Sequence, residues 1–95
     1  MMTMSKEIML DLLKIDLGIV TKAYDSRLER LITTAKEEIE REGATLSLDS
    51  VSDCDLILRY AAWLWRKRDS AEGMPRMIRW QINNRLFGAK EKSND

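Results

Sequence analysis

The chain predicts an all-α fold, a single compact domain of about four helices joined by short loops. Apolar residues recur at spacings of three and four along most of the sequence, and the four glycines and one proline fall near the breaks between those runs. No stretch alternates long enough to make a convincing strand. Ninety-five residues suffice for one domain that buries about two thirds of its unfolded surface without staples, and they leave no room for a second. Hydrophobic residues make up 44% and charged residues 34%, which separates the chain from disordered and fibrous sequences. The domain is expected to span residues 1–95, with a polar tail over 89–95.

Ser5 is placed to cap a first helix reaching about Ile15, with Ile8, Leu12 and Ile15 on one side and Met9 and Leu13 widening the stripe. Asp16-Leu17-Gly18 ends it. Thr21 is positioned to cap a second helix running to Glu42, where Tyr24, Leu28, Leu31, Ile32, Ala35 and Ile39 fill one stripe about 100° wide. Gly43 supplies a left-handed stop. Ala44 to Ser50 is a short connection whose alternation at Thr45 to Leu48 is too brief for a strand.

The third helix begins near Ser50 or Ser52, with Asp53 close to its positive end, and stops before Ser70 to Met74. On a wheel of about 100° per residue its polar stripe is only Asp55, Arg59 and Arg66. Cys54, Leu56, Ile57, Leu58, Tyr60, Ala61, Trp63, Leu64 and Trp65 fill most of the remainder. Pro75 then stands at the first position of a fourth helix, which Gly88 is expected to close. That helix carries two apolar edges on roughly opposite sides, Ile78, Ile82 and Leu86 on one and Met77, Trp80 and Phe87 on the other. One edge can face its own core. The surplus on these two helices exceeds what one small domain hides, and it predicts a protein that assembles.

Little in the sequence points to catalysis. There is no histidine, which removes Ser/His and Cys/His pairs, the commonest zinc ligands and the usual base near neutral pH. No Gly-rich phosphate loop of the P-loop or dinucleotide type occurs, and no Glu-x-x-His pairing exists to build a two-metal bundle. Glu37, Glu38, Glu40 and Glu42 read as a solvated charge run. The single Cys54 cannot form an internal disulfide, reads as a small core residue and fits a reducing compartment. The expectation is a protein that is not an enzyme and takes no cofactor or metal. No run approaches the roughly 20 apolar residues of a membrane span, and the first ten residues lack the pattern of a signal peptide, so a cytosolic origin without a membrane partner is expected.

The zero net charge conceals a segregation. Residues 1–54 hold seven Lys/Arg against eleven Asp/Glu, a balance of −4, whereas residues 55–87 hold seven against three, a balance of +4. Such a bipolar chain can attract a second copy head to tail or present a basic face to phosphate. Arg66, Lys67 and Arg68 with Arg76, Arg79 and Arg85, interleaved with Trp63, Trp65 and Trp80, make a small helical nucleic-acid-binding regulator the alternative reading. Trp63 and Trp65 sit among residues that look buried, however, and Met77 and Trp80 interrupt the polar face a recognition helix needs. Arginine with tryptophan is also the composition that protein interfaces favour.

One resemblance runs from about Leu12 to Phe87. Leu12-Leu13-Lys14-Ile15-Asp16-Leu17-Gly18-Ile19, Tyr24-Asp25 with Leu28, Leu31-Ile32, Ala35 and Ile39, then Tyr60-Ala61-Ala62-Trp63-Leu64, and finally Gly73-Met74-Pro75-Arg76-Met77 with Ile82-Asn83-Asn84-Arg85-Leu86-Phe87, resemble the head-tail connector (adaptor) proteins of tailed bacteriophages and prophages. The resemblance implies a structural virion assembly protein that forms a homo-oligomeric ring beneath the portal protein, extends the DNA channel without sequence-specific binding, and offers a surface to a stopper or tail-completion protein. It implies location at the virion neck, the head-tail junction, after assembly in the bacterial host cytoplasm. Tyr60, Trp63, Met74, Pro75, Met77 and Arg85 match the recurring pattern, while the compact Ala44 to Ser50 departs from it in holding no long loop to reach a portal. From the helical wheels, the residues expected at the subunit or partner interface are Tyr60, Trp63, Trp65, Arg66, Arg68, Met74, Pro75, Met77, Arg79, Trp80 and Arg85.

Overall fold

Four helices follow one another along the chain: α1 (Lys6–Leu17), α2 (Asp25–Arg41), α3 (Val51–Lys67) and α4 (Arg76–Ser93). The structure, a computed structural model, describes residues 6–68 and 73–93, the last five of these as backbone only. The predicted Ser5 cap and the connection at 69–72 lie outside the described residues. Among those described there is no strand, as the sequence predicts.

Each boundary has a local cause. At the end of α1, Gly18 takes φ +71°, its N–H donates to the Ile15 carbonyl at 3.2 Å, and the Ile19 N–H reaches back to the Lys14 carbonyl at 2.9 Å. This is the paired closure that a left-handed glycine permits. Thr21 does not cap α2. Its Oγ1 accepts from the Ala23 N–H at 3.2 Å, so it stabilises a turn upstream, and the helix begins only at Asp25 with Tyr24 in the cap position. At α3, Ser50 is extended and its Oγ accepts from the Asp53 N–H at 3.2 Å, while Asp53 Oδ2 accepts from the Ser47 N–H at 3.0 Å. The serine thereby satisfies one amide of the first turn, and the aspartate ties the linker amide of Ser47 to the helix start. The Pro75 carbonyl accepts from the Ile78 and Arg79 N–H groups, which sets proline one residue ahead of α4.

Gly88 does not end α4; the helix continues through it to Ser93. A mid-helix glycine costs only about 1 kcal/mol relative to alanine, and the Ala89-Lys90-Glu91-Lys92 run that follows consists of strong helix formers.

α3 is the hub, packed against α1, α2 and α4. Its inner residues Cys54, Leu56, Ile57, Tyr60, Ala61, Ala62, Trp63 and Trp65 are all buried, joined in one core by Leu28, Ile32, Ala35 and Ile39 of α2 and by Ile78 and Ile82 of α4. The extended linker after α2 continues this core, with Ala44 and Leu46 turned inward and Leu46 N–H donating to Glu40 Oε2 at 3.3 Å. The expected face of α1 requires correction. Met9, Leu10 and Leu13 are buried and Leu17 packs against the core, whereas Ile8, Leu12 and Ile15 point outward. Both sets are apolar and stand almost opposite one another on a 100° wheel, so periodicity alone does not choose between them. Tyr24, placed by its spacing in the α2 stripe, is exposed and instead lays its ring edge against Trp65 at 5.3 Å.

Candidate assembly surface

α4 leaves an apolar edge in the open, and its inner side explains how it is held. Ile78 and Ile82 are buried and Leu86 is half-buried, with Leu86 lying 3.4 Å from where a Cβ on Gly43 would stand. Two arginines fasten the same side. Arg79 Nη1 and Nη2 meet the Glu42 carboxylate at 2.7 and 3.4 Å, and Arg85 meets Asp53 Oδ1 at 2.8 Å, Ser52 Oγ at 2.7 Å and the Gln81 carbonyl at 3.0 Å. With its position fixed, α4 turns Met77, Trp80 and Phe87 to solvent at 54, 60 and 65% exposure. Arg76, Asn83 and Asn84 are exposed on the same side, and no acidic residue occurs from Arg76 to Phe87.

The residues expected at an interface therefore divide. Met77 and Trp80 form the outward edge, and Pro75 and Arg66 are exposed beside it, where with Trp63, Arg59 and Asp16 they line a cleft of about 370 Å³. Arg68 is exposed but lies over the Trp65 ring at 3.7 Å and donates to the Trp65 carbonyl at 2.6 Å. Tyr60, Trp63 and Trp65 are core residues of their own subunit, and Met74 is half-buried against that core. This corrects the reading of α3 as surplus surface. A helix central to a small domain must be apolar nearly all round, and its wheel is then the same as that of an interface helix.

The buried aromatics are held by their edges. Tyr60 stands edge-on to Trp63 at 5.3 Å, and the Lys67 ammonium sits 4.4 Å over the Trp63 ring. Burial and a hydrogen bond to Glu38 raise the Tyr60 hydroxyl well above its ordinary value. Arg79 and Arg85 are likewise engaged within the subunit, so the −4 and +4 segments already meet in one chain through Glu42–Arg79 and Asp53–Arg85.

Phe87 stands outside the expected interface set, yet its spacing puts it on the Met77 and Trp80 edge, and the structure exposes it with them. The stripe of Ile8, Leu12 and Ile15 on α1 is outside the expected set as well, and it too is exposed. Among the described residues no group of three His, Cys, Asp or Glu side chains is arranged to hold a metal ion, and no helix is long and apolar enough to cross a membrane. No protein-family model, curated protein or solved structure matches this chain.

Proposed function

We propose that this protein is a structural subunit that assembles into a ring, and that it acts as a head-tail connector beneath the portal of a tailed phage particle. The observation that carries the assembly reading is the outward edge of α4. Three large apolar side chains, Met77, Trp80 and Phe87, stand exposed on a helix whose opposite side is locked to the core by Ile78, Ile82 and two arginine ion pairs. The helix that carries this edge is already folded and packed, so docking it requires no helix formation, and tryptophan is among the residues that anchor interfaces most strongly. The connector assignment rests on the resemblance from Leu12 to Phe87. With it come a portal protein and a stopper or tail-completion protein as partners, DNA passing through the channel without base recognition, and residence at the virion neck.

The nucleic-acid alternative has less to support it. Trp63 and Trp65 are buried and unable to stack on bases, and Arg79 and Arg85 are occupied by carboxylates of their own subunit.

Native mass spectrometry and negative-stain electron microscopy of the purified chain, alone at rising concentration and mixed with a portal ring, test the proposal. Closed rings of a fixed copy number are expected. A strict monomer under both conditions, or tight sequence-selective DNA binding, would overturn it.

A further inference from the structure

We infer that the outer edge of α4 docks on the outer stripe of α1 in a second copy of this chain, giving a head-to-tail junction. The inference rests on the ring-forming reading and deepens it by naming the two faces that meet. On α1, Ile8, Leu12 and Ile15 are 46, 40 and 77% exposed and follow one another at i, i+4 and i+7, nearly opposite the buried Met9, Leu10 and Leu13. The stripe is edged with acid. Glu7 and Asp11 are exposed along it, Asp16 at its end shares the cleft with Arg59 and Arg66 of its own subunit, and Lys14 is bound to Asp25 at 2.8 Å.

The α4 edge has the opposite character. Met77, Trp80 and Phe87 are accompanied by Arg76 and two asparagines, with no carboxylate. The two stripes are comparable in length, about 10 Å from Ile8 to Ile15 and about 15 Å from Met77 to Phe87 at 1.5 Å per residue.

Charge selects the pairing. A symmetric α4 to α4 contact would leave Arg76 of each copy with no acid to meet, since α4 holds none from Arg76 to Phe87, and a symmetric α1 to α1 contact would oppose the exposed carboxylates of one copy with those of the other. Joining α1 to α4 covers both apolar stripes and sets acid against base. Because each copy carries one face of each kind on separate helices, every subunit can give and receive at once, as a heterologous contact needs before it can close into a ring.

Two single substitutions at exposed positions test this by sedimentation velocity at the highest concentration the protein tolerates. Ile15→Asp spoils the receiving face and Trp80→Ala the inserting face. Trp80→Ala is not expected to shift the melting curve, since its side chain points to solvent, and Ile15→Asp should lower it only slightly, by the new carboxylate in the last turn of α1 four residues from Asp11. Each variant alone should weaken self-association at least tenfold. Mixed in equal amounts they should form a dimer and nothing larger, because the intact α4 of one meets the intact α1 of the other and the spoiled faces end the series. If Ile15→Asp assembles as the wild-type chain does, or if the mixture behaves as the separate variants do, the α1 to α4 pairing is wrong while ring formation stands. If the wild-type chain stays monomeric both alone and beside a portal ring, the ring-forming reading fails and this junction with it.

Discussion

Arg85 of α4 reaches Asp53 in the first turn of α3, with Nε 2.8 Å from Oδ1 and both side chains less than one-fifth exposed. The same aspartate accepts from the Ser47 N–H, and the same guanidinium donates to Ser52. One ion pair thus ties the linker, the start of α3 and the middle of α4 together. By contrast Arg79 and Glu42 are more open to solvent, at 43 and 33% side-chain exposure, where an ion pair contributes at most about 1 kcal/mol. Arg85→Ala is therefore expected to cost about 2 kcal/mol in urea unfolding, because it leaves a half-buried carboxylate short of a donor. Arg79→Ala should cost less than about 1 kcal/mol. Equal losses would contradict this ranking.

The two glycines near α4 should respond in opposite directions. Gly88 lies inside the helix with open space around the position of a Cβ, so Gly88→Ala should stabilise by about 0.5 to 1 kcal/mol. Gly43 has φ +116°, which an L side chain rarely adopts, so Gly43→Ala strains the backbone and should destabilise by about 1 kcal/mol or more. Thermal melting of the two variants decides it. A Gly88→Ala protein that melts lower would mean that the glycine is needed as a helix stop.

What could be read from the sequence depended on whether a helix had one apolar face or several. α2 has one stripe, and Leu28, Ile32, Ala35 and Ile39 are buried as predicted. α4 has two, which the wheel separates into Ile78, Ile82 and Leu86 on one side and Met77, Trp80 and Phe87 on the other; the inward ion pairs of Arg79 and Arg85, residues the sequence assigns to the interface, are visible only in the structure. α1 also has two, but charge marks neither as the outer one clearly enough, and the inner choice was settled by contacts with α2 and α3 that no local pattern encodes. α3 misled for the reverse reason. Its surplus of tryptophan belongs to a central helix with neighbours on three sides, so Trp63 and Trp65 left the candidate surface while Phe87 and Ile15 joined it.

Alkaline conditions should lower the protein's stability through two buried acids. Burial, aided by the Asp53 and Asp49 carboxylates, pushes the Cys54 thiol above its ordinary 9.0, and burial with the Glu38 hydrogen bond pushes Tyr60 above 10.0. In both cases the unfolded chain gives up the proton first, so above about pH 9 the native state binds more protons and stability falls as pH rises. Below that pH their contribution is complete. Urea midpoints at about pH 7 and about pH 10 should differ, and Tyr60→Phe should flatten part of the slope. A midpoint that does not move over this range would show that neither group is withheld from solvent.

The most direct measurement compares Trp80→Ala with Ile82→Ala, two residues apart on one helix, for both melting temperature and self-association. Ile82 is fully buried, so its truncation should cost about 2 to 4 kcal/mol and lower the melting temperature by roughly 10 °C or more. Trp80 is 60% exposed, and its truncation should leave helical circular dichroism and monomer melting nearly unchanged while weakening assembly by about 2 kcal/mol or more. If Trp80→Ala unfolds the monomer, or if it leaves assembly at wild-type strength, the outer edge of α4 is not the surface through which this protein assembles.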